Sequence, residues 1–195
     1  IFMSLLLRPE MNAVNASMLT LIMALAAEKG VREATGLESQ IKWPNDLVLN
    51  KKKICGILTE MSTDQMEIKY VIIGTGINVC QTQFPEEIKA TATSLYLESG
   101  EKISRSKIIG CVMEAFEEYY EKFMETEDMS GLIEEYNERL VNLNNEVCIL
   151  APTGDFRGIS TGINKDGGLM VRLEDGSVTE VISGEVSVRG VYGYV

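Results

Sequence analysis

The stretch Lys42-Trp43-Pro44-Asn45-Asp46, followed a few residues later by Lys53-Ile54-Cys55-Gly56-Ile57-Leu58-Thr59-Glu60, gathers two cations and a carboxylate around a tight turn. Pro44 fixes φ, and Asn45 and Asp46 favour turn geometry, so Lys42 and Asp46 are expected near a strand end with little mobility. What such a set can do is electrostatic: cations meet an anion, or the negative charge that builds in a transition state. On residue types alone the same stretch also fits an ordinary hairpin with solvated lysines at 51–53. A second signal, Gly74-Thr75-Gly76, reads either as a loop that needs positive φ or as a weak mark of nucleotide binding. Asn78, just beyond it, offers an amide that both donates and accepts.

The composition narrows the chemistry further. The 195 residues contain no histidine, which removes the usual zinc ligand, the commonest general base and any Ser-His or Cys-His nucleophile pair. A formal net charge of -11 repels phosphate backbones and anionic lipid, so nucleic-acid wrapping is not expected. Cys55, Cys80, Cys111 and Cys148 form no C-x-x-C pair and read as small buried hydrophobes of a reducing, cytoplasmic compartment. The apolar stretch Met18 to Ala27 ends at Glu28 and Lys29, short of the roughly 20 residues a membrane span needs. The opening residues Ile1 to Leu7 lack the marks of a signal peptide and read as a buried strand; a chain that starts this way is expected to be the interior of a longer polypeptide.

The elements that must position these residues follow from periodicity. Asn12 or Asn15 can cap a helix with Met18, Leu21, Ile22 and Leu25 on its apolar face and Gly30 closing it. Short runs at 41–43, 47–49, 54–61 and 68–73, separated by Pro44-Asn45-Asp46 and Asn50-Lys51-Lys52, predict hairpin-connected sheet. Ser104 is expected to cap a long helix with Ile108, Val112, Phe116, Tyr119 and Phe123 on one face, and Ser130 a further helix carrying Leu132, Ile133, Tyr136 and Leu140. Beyond Asn142 come runs at 147–150, 157–162, 169–173, 178–181 and 186–188, spaced as in a small β-barrel. The expected division is therefore 1–142, α+β, and 143–195, all-β.

Lys-Trp-Pro-Asn-Asp followed by Lys-Ile-Cys-Gly-Ile-Leu-Thr-Glu closely resembles biotin protein ligase, the enzyme that attaches biotin to carboxylases. The resemblance continues in Val71-Ile72-Ile73-Gly74-Thr75-Gly76-Ile77-Asn78-Val79 and in Gly184-Glu185-Val186-Ser187-Val188-Arg189, and it covers essentially the whole chain. It implies a mixed β-sheet flanked by helices, related to class II aminoacyl-tRNA synthetases, followed by a small barrel like the Src-homology-3 fold. It also implies ATP-dependent activation of biotin to biotinyl-5′-AMP, then transfer to one lysine of a biotin carboxyl carrier protein. ATP, Mg²⁺ and biotin are the implied small molecules, and a homodimer is left open.

By the same resemblance Lys53 matches the family's essential lysine, its ammonium between biotin carboxylate and α-phosphate. Lys42 is expected near the phosphates as a second cation. Asp46 is expected either to hold Mg²⁺ or to orient the acceptor lysine. Gly74 and Gly76 let backbone approach the ligand, Asn78 faces an adenine edge or a phosphate oxygen, and Gly56 and Ile57 lie along the biotin ring and its chain. Glu185 and Arg189 resemble residues that reach the nucleotide from the terminal unit, although a surface ion pair explains them equally. Trp43, the single tryptophan, reads as a core anchor rather than a stacking platform. The family's glycine- and arginine-rich loop is expected upstream of Ile1, and no DNA-binding module is expected within these residues. A non-catalytic biotin or adenylate sensor, or an inactive fragment, is the alternative; an octanoyl or lipoyl ligase is disfavoured by the intact Lys-Trp-Pro-Asn-Asp.

Overall fold

The computed structural model describes residues 1–65, 67–150 and 154–182, with the backbone also of 187–190. Strands β1 (Phe2–Leu7), β2 (Gln40–Lys42), β3 (Asp46–Leu49), β4 (Lys52–Asp64) and β5 (Glu67–Ile77) form one sheet in the order β1-β5-β4-β3-β2. Its strand pairs are antiparallel, and among the described residues the isolated bridges Ile41↔Leu140 and Lys53↔Ala92 are parallel. Short hairpins explain this: Asn50 and Lys51 adopt φ of 50° and 64°, the left-handed geometry that reverses β3 into β4. β1 is an edge strand rather than a buried one, with Phe2 and Leu6 exposed while Met3, Leu5 and Leu7 pack inward.

A 3₁₀ turn over Ala13–Met18 leads into α1 (Leu19–Thr35), which lies between the sheet and the later helix α3. Together they make a helical stretch of 23 residues, apolar enough to cross a membrane by composition, but most of it is buried as the core helix. Asn12 caps the 3₁₀ turn, its side chain accepting from the Val14 amide at 3.1 Å. The helix does not close at Gly30. It runs on to Gly36, whose φ of 73° makes the left-handed stop, and Gly30 instead sits where α1 meets α3 most closely.

A short α2 (Leu95–Ser99) precedes α3 (Arg105–Thr126), which Ser104 caps and which buries Ile108, Val112, Phe116, Tyr119 and Phe123 as expected. α4 (Ile133–Arg139) begins at Leu132, without a side-chain cap; Ser130 is instead folded into a turn in which its amide donates to Asp128 at 2.9 Å.

Strands β6 (Glu146–Leu150), β7 (Phe156–Ile163), β8 (Leu169–Arg172), β9 (Val178–Val181) and β10 (Ser187–Gly190) make a second antiparallel sheet in the order β10-β6-β7-β8-β9. A pair between β9 and β10 that would close a barrel is not among the described residues. The connection into this sheet passes along β2, where the Val141 amide donates to the Ile41 carbonyl at 2.9 Å.

Candidate functional site

Antiparallel register places directly opposed residues on one face. Lys42 opposes Asp46, Asp46 opposes Gly56, Gly56 opposes Gly76 and Gly76 opposes Phe2, a single row across all five strands. The next row is Leu58, Gly74 and Ser4. The face that carries them is the one turned away from α1, and it forms a groove of about 510 Å³ floored by glycine, within the size range of small-molecule sites.

Lys53 reaches the same face through an irregularity. The β3–β4 register slips between Leu47 and Val48, leaving Ile54 as an extra residue; Ile54 and Cys55 are both buried, and Lys53 and Gly56 come to share a face. The Lys53 Nζ lies 2.5 Å from Asp46 Oδ1. Its backbone is held from outside the sheet, the amide donating to the Thr91 carbonyl at 2.7 Å and the carbonyl accepting from the Thr93 amide at 2.9 Å. Gly56 is the floor beneath it: a Cβ there would meet the lysine Cε and Nζ at 3.0 Å.

The ion pair is asymmetric in its exposure. Lys53 keeps 39% of its side-chain surface open, whereas Asp46 is buried, as is Lys42 opposite it. An accessible ammonium is thus held by a carboxylate that is itself fixed by the sheet, which suits a cation offered to an anionic ligand. The turn between β2 and β3 is pinned by Asn45, whose Nδ2 donates to the Ile57 carbonyl at 3.0 Å while its own carbonyl accepts from the Ile57 amide at 2.8 Å. Cys55, beneath the row, is no nucleophile: burial, and secondarily the Asp46 carboxylate, push its thiol up to about 12.

Lys42, Asp46, Lys53, Gly56, Gly74 and Gly76 are therefore brought together, and the structure separates other expected residues from them. Gly74 and Gly76 lie in extended backbone without positive φ, and a Cβ on either would meet nothing nearer than 3.6 Å, so they leave space rather than permit a turn. Ile57 contributes backbone to the groove, its side chain being buried on the opposite face; the exposed apolar side chains there are Leu58 and Phe2. Asn78 is engaged elsewhere: its Nδ2 donates to the Thr93 carbonyl at 3.1 Å and its Oδ1 accepts from Gln81 at 3.3 Å. Trp43 is a core anchor, 1% exposed, with its indole N–H donating to the Gly167 carbonyl at 3.0 Å. Glu185 lies outside the described residues, and of Arg189 only the backbone is described, paired opposite Cys148.

Phe2, Ser4 and Leu58 were not singled out from the sequence, nor was the clamp at Thr91 and Thr93, and Asn45 was read only as a turn residue. Leu58 carries a readable signal, an apolar residue two after a strand glycine; the Thr91 and Thr93 contacts are long-range and carry none. Among the described residues no group of three His, Cys, Asp or Glu side chains is placed to hold a metal ion. The groove lining among the described residues contains neither Asp nor Glu, and the row's Asp46 is ion-paired with Lys53, so no group of carboxylates is gathered there to hold a Mg²⁺ by itself.

Residues 1–78 match the Biotin/lipoate A/B protein ligase family, and residues 143–189 match the Biotin protein ligase C terminal domain. The chain is 35% identical over 190 residues to the bifunctional ligase/repressor BirA of Bacillus subtilis, an alignment spanning 96% of this chain and 58% of that protein. It is 28% identical over 174 residues to the biotin--[acetyl-CoA-carboxylase] ligase of Paracoccus denitrificans, covering 87% of this chain and 72% of that one. Among solved structures it superposes on the biotin protein ligase from Aquifex aeolicus in complex with biotin and ATP with a TM-score of 0.84 at 32% identity, covering 97% of this chain and 78% of that one. Another structure of the Aquifex aeolicus ligase gives 0.85 at 33% identity, with 97% and 81% covered. The chain thus spans less than two thirds of the length of the Bacillus relative.

Proposed function

The chain belongs to the biotin protein ligase family, and on that premise we propose that it activates biotin with ATP and transfers it to one lysine of a biotin carboxyl carrier protein. The observation that carries this reading is the Lys53 ammonium, partly exposed and held 2.5 Å from Asp46 above a floor of glycines.

In the first step a biotin carboxylate oxygen attacks the α-phosphorus of ATP. A new O–P bond forms, the bond to the bridging oxygen of the β-phosphate breaks, and pyrophosphate leaves with that electron pair. Two anions must approach, and charge grows on the α-phosphate oxygens, so a fixed cation between them lowers the barrier. Lys53 supplies that cation, and because Asp46 and the Thr91–Thr93 clamp already orient it, little reorganisation remains at the moment of reaction. Leu58 and Phe2 give apolar surface for the ring and chain of biotin, and Gly56, Gly74 and Gly76 keep the floor low enough for the ligand to lie against backbone. In the second step the acceptor amine attacks the carbonyl carbon of the mixed anhydride, AMP departs and the amine gives up its proton. Lys53 remains electrostatic in both steps. The ATP that supplies the adenylate is expected to bring a divalent cation on its own phosphates.

Asp46 acts in this reading as the partner that holds Lys53 in place, and the turn between β7 and β8 backs the turn at 43–46 through Gly167. The test is titration with biotinyl-5′-AMP together with ATP–pyrophosphate exchange in the presence of biotin, on the wild-type chain and on Lys53→Ala. Exchange that collapses in the variant supports the ligase reading. Tight binding without any turnover would replace it with an adenylate-binding sensor.

A further inference from the structure

The proposed reaction needs Asp46, with Lys42 opposite it, at a fixed position, yet β2 and β3 that carry the pair have only three and four residues. What holds them lies largely outside their own sheet. Trp43, between the two, buries its indole and donates its N–H 3.0 Å to the carbonyl of Gly167, in the turn that joins β7 to β8 of the second sheet. Two residues earlier, the Ile41 carbonyl accepts from the Val141 amide, in the connection that leads into that sheet.

The turn that receives Trp43 is itself stiff. Asn164 Oδ1 accepts from the amides of Asp166 and Gly168 at 3.0 and 2.9 Å, its own amide donates to Gly168, and its Nδ2 donates to Glu180 on β9 at 2.7 Å. The turn is also seated. The Lys165 carbonyl accepts from the Met129 amide at 2.7 Å, and Gly167, at φ of 80°, is pressed so closely on α1 that a Cβ would meet Leu21 and Met18 at 2.8 and 3.0 Å. A buried indole N–H pointed at a carbonyl in a locked turn fixes both the depth and the rotation of the ring. Because Trp43 is the residue after Lys42 and the third before Asp46, the ring's placement sets theirs.

We propose that the Asn164–Gly168 turn of the second sheet is a positioning element of the active site, acting through the Trp43–Gly167 hydrogen bond on Lys42 and Asp46. The inference rests on the ligase reading and adds a role for the C-terminal unit in the chemical step. Trp43 and Asn164 are positioning residues and touch no reacting atom. Biotin, which would lie on the floor made by β1, β4 and β5, should be bound equally well whether or not the turn is braced.

Adenylate formation by wild type, Trp43→Phe, Asn164→Ala and Val147→Ala tests this, with kcat and the KM for biotin measured per folded molecule well below the melting temperature. Trp43→Phe keeps the ring and removes the N–H, Asn164→Ala loosens the turn from the surface, and Val147→Ala weakens the second sheet's core on β6, away from the turn. The expected result is a fall in kcat of about tenfold or more in the first two, as a misplaced group costs, with the KM for biotin unchanged. Val147→Ala should lower the melting temperature and leave kcat as it was. Unchanged kcat in both Trp43→Phe and Asn164→Ala, or an equal fall in Val147→Ala, would overturn the inference alone. If Trp43→Phe does not fold, Asn164→Ala decides. A wild-type chain that forms no adenylate would overturn the ligase reading and this inference with it.

Discussion

At the scale of single residues the site is a lysine aimed by a carboxylate across a glycine. Replacing Lys53 by alanine removes a side chain that packs little and leaves Asp46 opposite Lys42, so stability should change by no more than about 1 kcal/mol. Adenylate formation should fall by about 10² to 10³, the loss typical of one preorganised transition-state contact. A thermal melt beside an exchange assay measures both, and parallel losses would mean that the lysine is structural. Thiol chemistry gives a second residue-scale prediction. Cys80 is exposed while Cys55 is buried with its thiol pushed up to about 12, so at pH 8 an aromatic disulfide reagent should modify Cys80 rapidly and leave Cys55 untouched until the chain unfolds. Early labelling of Cys55, read by mass spectrometry, would contradict its placement beneath the row. Lys42 and Asp46 were legible in the sequence because a turn and two short strands almost dictate their meeting, whereas Lys53 was legible through the family motif and not through its spacing. Gly74 and Gly76 were legible as important, but spacing alone could not choose between a positive φ, which is absent, and room above a strand, the role that the family resemblance implied.

At the scale of elements, Gly30 shows what periodicity hides. A glycine after an apolar helical stretch reads as a stop, and here it lies inside α1 facing α3, where a Cβ would fall 2.6 Å from the Val112 amide nitrogen and 2.5 Å from its side chain. In an open helix Gly→Ala gains about 1 kcal/mol of propensity. Backbone cannot yield as a flexible side chain can, so overpacking of about 3 kcal/mol or more should outweigh that gain and Gly30→Ala should be destabilised by a net of about 2 kcal/mol. Urea unfolding should show the midpoint falling at constant slope, and a more stable variant would mean that the helices stand further apart. The helix that ends at Gly36 and the one that starts at Ser104 were, by contrast, set by local signals: a left-handed stop and a side-chain cap. α4 was readable as a helix but not in its start, because Ser130 satisfies a turn with Asp128 before the helix begins. The irregularity that turns Lys53 onto the face of Gly56 left no trace in composition, and it decides the site.

At the scale of the whole molecule, Trp43 ties the first sheet to the second, and a buried charge ties the core helix α1 to α4. Glu28, on the core helix α1 and 2% exposed, has Arg32 at 3.2 Å and Arg139 of α4 at 3.8 Å, while Arg139 also reaches Glu38 at 3.4 Å. Burial raises the Glu28 carboxyl above its ordinary value, and the two arginines offset only part of that. A carboxyl with a raised folded pKa binds more protons folded than unfolded, so its effect on stability is favourable at low pH and is lost as pH rises from the ordinary 4.5 through the raised value. Glu118 on α3 has the opposite sign: hydrogen bonds from Lys122 and Lys29 hold it down at about 2, so its contribution is present above 4.5 and lost as pH falls towards 2. The two windows lie on either side of the ordinary carboxylate pKa and do not overlap. Stability at constant ionic strength should therefore decline on the alkaline side of that point in wild type, and Glu28→Gln should flatten the decline while leaving the acid limb in place. The general repulsion of a chain with net charge -11 also grows with pH, but it is shared by both proteins and cancels in the difference. An unchanged alkaline slope in Glu28→Gln, measured by urea denaturation at a series of pH values, would assign that slope to the surface charge and leave Glu28 ionised without cost in the folded protein.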